Sequence, residues 1–224
     1  MRIIFIILFS VVSVVHLTGC FLGKTRLADL TKPLLMPLLA FIEVAFLLPF
    51  LPGSQHVMLM LVLALAFCFL GDTMLLGTND LSFTSGAGAF LIAHLFYINL
   101  FSQPMLHQQF SSVLLLGGAA LSIILAAVSY ILLGKPKAPV GGGIVIYAFV
   151  LFVLNLFTIA AFIKTPSVAA AAAAAGSLLF LLSDSILGYS VFRKDFKNSR
   201  FFIMLTYIPA QVLLTTGAVL PLLS

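Results

Sequence analysis

Residues 57–76 read VMLMLVLALAFCFLGDTMLL, twenty positions of which only Asp72 carries a charge. A hydrocarbon core of about 30 Å needs about 20 apolar residues of helix. The stretch therefore reads as one bilayer crossing with an acid near its end. Cutting the rest of the chain at polar and Pro/Gly clusters gives seven more such spans. In order the eight are Ile3–Leu22, Pro33–Leu51, Val57–Leu76, Phe83–Phe101, Ser112–Leu133, Val140–Ile163, Val168–Tyr189 and Phe201–Leu223. Inside a bilayer each backbone amide must be satisfied within its own segment, which leaves helices. The expected fold is an all-α integral membrane bundle of eight transmembrane helices, a single transmembrane domain over residues 1–224. Connections such as Pro52–His56, Gly77–Ser82 and Lys164–Ser167 leave no room for a soluble domain.

Composition points the same way. The 224 residues are 62% apolar and 8% charged, with a mean hydropathy of +1.26. A soluble domain averages about 25% charged residues. The balance excludes a soluble globular enzyme, and a disordered chain would need the opposite bias. Long apolar blocks, without ten-residue alternation, exclude a transmembrane β-barrel. Cys20 and Cys68 sit in apolar blocks and form neither a disulfide framework nor a metal cluster. With no Trp, aromatic anchoring at the interfaces falls to 5 Tyr and 22 Phe. Nothing suggests nucleic-acid binding.

The first span contains Leu17-Thr18-Gly19-Cys20, which matches a lipoprotein cleavage box. Such a product would carry a polar mature domain, whereas this chain runs straight on into Phe21-Leu22 and further spans. An ordinary first helix is the better reading. Orientation follows from the cations. The odd-numbered connections hold Lys24, Arg26, Lys32, Lys135, Lys137, Arg193, Lys194, Lys197 and Arg200, against Arg2 and Lys164 on the other face. Lys/Arg excess marks the cytoplasmic side, so both termini, Ser224 included, are expected outside the cytoplasm. Length and short loops are compatible with a bacterial inner membrane.

A faint internal echo links Phe67-Cys68-Phe69-Leu70-Gly71-Asp72-Thr73 with Leu179-Phe180-Leu181-Leu182-Ser183-Asp184-Ser185, 112 residues apart. A 4+4 parallel duplication would explain it. The run Ala169–Ala175 most simply means close helix packing.

Ionisable groups inside a span cost about 2.5–3.5 kcal/mol each on insertion scales, so each invites an explanation. They are Glu43, Asp72, His94 and Asp184, with Tyr97, Asn99, Asn155, Tyr207 and Gln211 as uncharged company. Counted from the span ends, Asp72 and Asp184 lie roughly 6–8 Å below the cytoplasmic surface, and Tyr207 about 9 Å. His94, Gln211 and Glu43 follow at about 15–17 Å. A basic mouth, two carboxyls beneath it and a polar floor suit an amphiphile with an anionic head. The plainer readings are an Asp serving as a helix-to-helix hydrogen bond, a satisfied core His94, a structural Glu43 and Lys32 as a topological anchor. Two acids at matched depth count against the first. His16, His56 and His107 are scattered and make no zinc motif. There is no GxSxG elbow, and Gly141-Gly142-Gly143 opens an apolar span.

The ordered set Lys32-Pro33-Leu34, Gly71-Asp72, Gly88-Ala89-Phe90, His94-Leu95, Tyr97, Gly176, Ser183-Asp184-Ser185, Thr206-Tyr207 and Ala210-Gln211 resembles the YhhN family of membrane proteins. Its characterised members are lysoplasmalogenases. The resemblance runs from the second span to the eighth. It implies hydrolysis of the vinyl ether bond of lysoplasmalogens to a fatty aldehyde and a glycerophospho-base, with the family's paired aspartates falling on Asp72 and Asp184. Vinyl ether hydrolysis needs a protonated carboxyl to protonate carbon and a carboxylate to stabilise the oxocarbenium ion and take a proton from water. The residues alone do not say which Asp is which. His94, Tyr207, Gln211 and Ser183 are candidates for orienting water or the ether oxygen, and Lys32 for the head-group phosphate. The implied partners are a lysophospholipid substrate and the bilayer, with no cofactor and no metal. A proton-coupled transporter, or a hydrolase of another lipid bond, is the competing reading. A transporter would carry acidic or His residues across the full thickness.

Overall fold

The computed structural model describes residues 2–107, 112–136 and 140–223. Met1, Lys137 and Ser224 lie outside them, as does the side chain of His107. The long helices are α1 (Arg2–Phe21), α2 (Thr25–Leu47), α3 (Gln55–Met74), α4 (Asp80–His107), α5 (Ser112–Leu132), α6 (Val140–Lys164), α7 (Val168–Phe192) and α8 (Ser199–Val219). No strand occurs among the described residues. Seven of these helices are long and apolar enough to cross a membrane. In α5 the described apolar stretch is Leu116–Leu132, within a helix of 21 residues.

Six helices close a circuit in the order α2, α3, α4, α6, α7, α8, with α8 returning to α2. Helix α1 packs outside it against α2 and α8, and α5 packs outside it against α6. The tightest seam is α7 against α8, where small residues let backbones touch. A Cβ on Gly176 would come within 2.7 Å of the Leu214 amide nitrogen, and one on Gly217 within 2.8 Å of the Ala173 backbone. Deeper between α6 and α7, Ser177 Oγ donates to Asn155 Oδ1 at 3.1 Å and lies 2.7 Å from Thr158 Oγ1. That buried set consumes the polar capacity of Asn155 as interhelical glue.

The helix ends differ from the hydropathy cuts. Helix α2 starts at Thr25, eight residues before Pro33, so Lys32 lies two turns inside a helix and not at its mouth. The cut removed those turns because Arg26, Asp29 and Lys32 make them polar, although they still hydrogen-bond as helix. Pro33 and Pro37 sit within α2, where each lacks a donor for the preceding turn. Helix α3 stops at Met74, while α7 continues past Tyr189 to Phe192. Asp72 is thus two residues from its helix end and Asp184 eight, replacing the offsets of four and five expected from the spans.

Candidate active site

At the end of the bundle formed by the α1–α2, α3–α4, α5–α6 and α7–α8 connections, the circuit encloses a cavity of about 790 Å³. Asp72 and Asp184 both line it, together with Lys32, Ser183 and Tyr207. Its mouth carries Thr25, Asp29, Asp80 and Arg200. The connections at this end carry most of the chain's cations, although the mouth residues themselves include two carboxyls, Asp29 and Asp80, beside Arg200.

Asp72 is 2% exposed, and its Oδ1 lies 3.3 Å from Lys32 Nζ, itself 12% exposed. Its other oxygen accepts a hydrogen bond from the Tyr207 hydroxyl at 2.9 Å. Three helices, α2, α3 and α8, thus converge on one carboxylate. A buried ion pair is tolerable only when its remaining polar capacity is filled, and Tyr207 fills it here. Gly71, the residue before Asp72, is required by packing: a Cβ there would lie 2.7 Å from the Phe90 ring. Phe90 in turn forms the cavity wall.

Asp184 stands on α7, partly exposed to the cavity. Its Oδ2 accepts from the hydroxyl of Tyr147 on α6. No cation pairs with it among the described residues. Beside the polar chamber lies a second cavity of about 480 Å³, walled by α4, α5, α6 and α7 and largely apolar. The two share eight lining residues, among them Thr84, Phe90, Val140, Leu187 and Asp184. Asp184 is the ionisable group common to both.

An aromatic block ties the two acids' hydroxyl partners together. Phe180 packs edge-on against Tyr207, with centroids 5.5 Å apart, and against His94 at 4.5 Å. His94 meets the Tyr147 ring edge-on at 5.6 Å. Its Nδ1–H donates to the Phe90 carbonyl at 2.6 Å, which fixes the tautomer and leaves Nε2 buried with no partner among the described residues. His94 therefore stands behind the cavity wall, against Tyr147, and not in the cavity.

The remaining candidates divide clearly. Ser183 lines the chamber, and its hydroxyl donates to the Ile203 carbonyl at 3.1 Å. Gln211 is fully buried below it, accepting from Tyr97 at 2.7 Å and reaching Cys68 Sγ at 3.1 Å. Its hydrogen bonds knit α3, α4 and α8 together. Glu43 is buried on α2 beside Thr215 and belongs to neither cavity. Asn99 pairs with His56, 3.0 Å apart, at the other end of the bundle.

Four participants were not anticipated. Tyr147 escaped notice as one aromatic in an apolar span, although it lies seven residues into α6 much as Tyr207 lies eight into α8. Arg200 and Asp29 form an ion pair of 2.5 Å at the mouth. His16, from α1, lines the chamber: its Nδ1 lies 2.9 Å from Thr31 Oγ1, whose own proton goes to the Leu27 carbonyl. A +4 spacing of His16 and Cys20 on one helix face was the available signal for that cluster.

No curated protein and no solved structure matches the chain. Residues 27–218, from the first turn of α2 almost to the end of α8, match the YhhN family. With the match covering the whole cavity-forming circuit, the chain belongs to the YhhN family.

Proposed function

We propose that the protein is a membrane-embedded ether hydrolase that cleaves the vinyl ether bond of lysoplasmalogens. The YhhN family includes lysoplasmalogenases. The observation that carries the reading is one chamber holding both Asp72 and Asp184, with cations at its polar side and an apolar cavity beyond Asp184. A single-chain lipid with an anionic head has matching ends. Its phosphate would meet Lys32 or Arg200, its ether bond would lie by Asp184, and its chain would pass into the apolar side.

The partners of the two carboxyls support a division of labour. Asp72, paired with Lys32, is the carboxylate. Asp184, with no cation paired to it among the described residues and facing the apolar cavity, is the proton donor. It delivers its proton to the vinyl carbon distal to oxygen, leaving an oxocarbenium ion that the Asp72 carboxylate stabilises across the chamber. Water adds to the oxygen-bearing carbon and Asp72 takes its proton. The resulting hemiacetal collapses: its hydroxyl proton is lost, the bond to the glycerol oxygen breaks, and that oxygen is protonated. One water is consumed, and transfer of a proton from Asp72 to Asp184 resets the pair. Tyr147 and Tyr207 position the acids, while His94 holds the Tyr147 ring. Electrostatic stabilisation of the developing cation in a water-poor site is the large term in such chemistry.

Topology completes the proposal. Eight crossings with both termini outside the cytoplasm put the chamber at the inner leaflet, in agreement with the cations at its end. A 4+4 duplication is supported by the pairings, since α4 packs on α6 as α8 packs on α2, and α3 on α4 as α7 on α8. Incubating the purified protein with vinyl ether, alkyl ether and acyl lysolipids, with aldehyde read by mass spectrometry, tests the function. Aldehyde from the vinyl ether lipid alone is expected. Fatty acid release or no product from any lipid would reject it.

A further inference from the structure

We infer that the apolar cavity between α4, α5, α6 and α7 is a subsite for one hydrocarbon chain, and that Gly88 and Gly143 set how long a chain it accepts. The inference rests on the hydrolase reading for the identity of the reacting bond, but not for the binding itself. About 480 Å³ lies in the lower half of ligand-pocket volumes, roughly 300–1,000 Å³, which suits one chain and not two. Along α6 the lining runs from Val140 to Phe152. At 1.5 Å per residue that is about 18 Å, close to the ~15 Å of one leaflet.

Continuity fixes the occupant. The cavity touches the polar chamber along a shared wall, and Asp184 stands in that wall. A free alkane has no use for a carboxyl at the entrance, and a head group has no partner among Leu91, Leu151 and Phe152. An amphiphile spanning both spaces satisfies both. Its first chain carbons then lie beside Asp184, where the proposed reaction occurs.

Gly88 on α4 and Gly143 on α6 line the apolar cavity, and a Cβ built on either meets no atom within 4 Å. A larger side chain there would start from open space and extend into the volume a ligand uses. Gly142, next to Gly143 on α6, is equally open but does not line the cavity. It is a built-in control, because Gly→Leu raises helix propensity at all three positions.

The test measures retention of octanoyl and palmitoyl lysophosphatidylcholine by the full-length protein in native mass spectrometry. These acyl lipids contain no vinyl ether, so binding is read apart from turnover. Gly88→Leu and Gly143→Leu should each weaken palmitoyl retention about tenfold or more and octanoyl retention less than about twofold, the discrimination one or a few methylenes give in an apolar pocket. Gly142→Leu should leave both unchanged. Leu91→Ala, which enlarges the space, should move the preference toward the longer chain and keeps the test decisive if a leucine variant fails to fold. Unchanged chain preference in all cavity variants, or an equal effect at Gly142, would overturn the subsite. Failure of the hydrolase reading would appear separately, as intact chain selection with no aldehyde formed.

Discussion

The two aspartates sit in related sequence contexts, Leu70-Gly71-Asp72-Thr73 and Leu182-Ser183-Asp184-Ser185, yet their surroundings are opposite. Asp72 is almost sealed, with an ammonium and a phenol on its two oxygens. Among the described residues Asp184 has a phenol and no ammonium, and it faces both a polar and an apolar space. Neighbours, more than the motif, distinguish a group held as an anion from a group suited to give up a proton. On the proposed reading the α2–α3–α8 side of the chamber is electrostatic, and the α6–α7 side is where a lipid chain would meet the acid.

The largest effect should come from removing either acid. Asp72→Asn and Asp184→Asn should each lower aldehyde release by about 10²–10⁴-fold, the range for general acid–base groups, while gel filtration shows folded protein. Next, Lys32→Met leaves Asp72 buried without its partner. Breaking a buried pair costs up to about 3–5 kcal/mol, so thermal unfolding should fall well below that of the wild type and activity should drop with it. Lys32→Arg should recover part of both. No comparable stability loss is expected for Tyr147→Phe, which touches only the Asp184 side; it should reduce kcat about tenfold, on the scale of one lost hydrogen bond.

A milder test sharpens the same contrast through pH. Activity should follow a bell: it falls on the acid side because Asp72 must be ionised, and on the alkaline side because Asp184 must carry its proton. A monotonic profile would break the division of labour. The smallest effect belongs to the mouth. Arg200→Gln, at an ion pair nearly half exposed on both partners, should raise KM a few-fold with kcat unchanged, and the difference should shrink in high salt.

The helices were legible because hydropathy reports the bilayer directly. Asp72, Asp184 and Tyr207 were legible as polar groups in apolar spans near one end, Lys32 as a cation before the second span and Ser183 through the family motif, and the structure gathers all five around one chamber. What escaped depends on rotation about helix axes, which depth along a span does not encode. Gln211 and His94 were placed at a suitable depth, but Gln211 turns toward Tyr97 and Cys68, and His94 toward Tyr147 and Phe180. Tyr147 lay hidden because a phenol costs little in an apolar span and draws no attention without its partner. The polar first turns of α2 were lost to the hydropathy cut, and with them Asp29 as a mouth residue.

Turnover of a lysoplasmenyl lipid in D2O, with the aldehyde trapped and weighed, is the most direct measurement of whether two acids serve one bond. The wild type should release aldehyde carrying one deuterium on the carbon next to the carbonyl, and Asp72→Asn and Asp184→Asn should release almost none. Full release by either variant, or aldehyde formed without deuterium at that carbon, would contradict it.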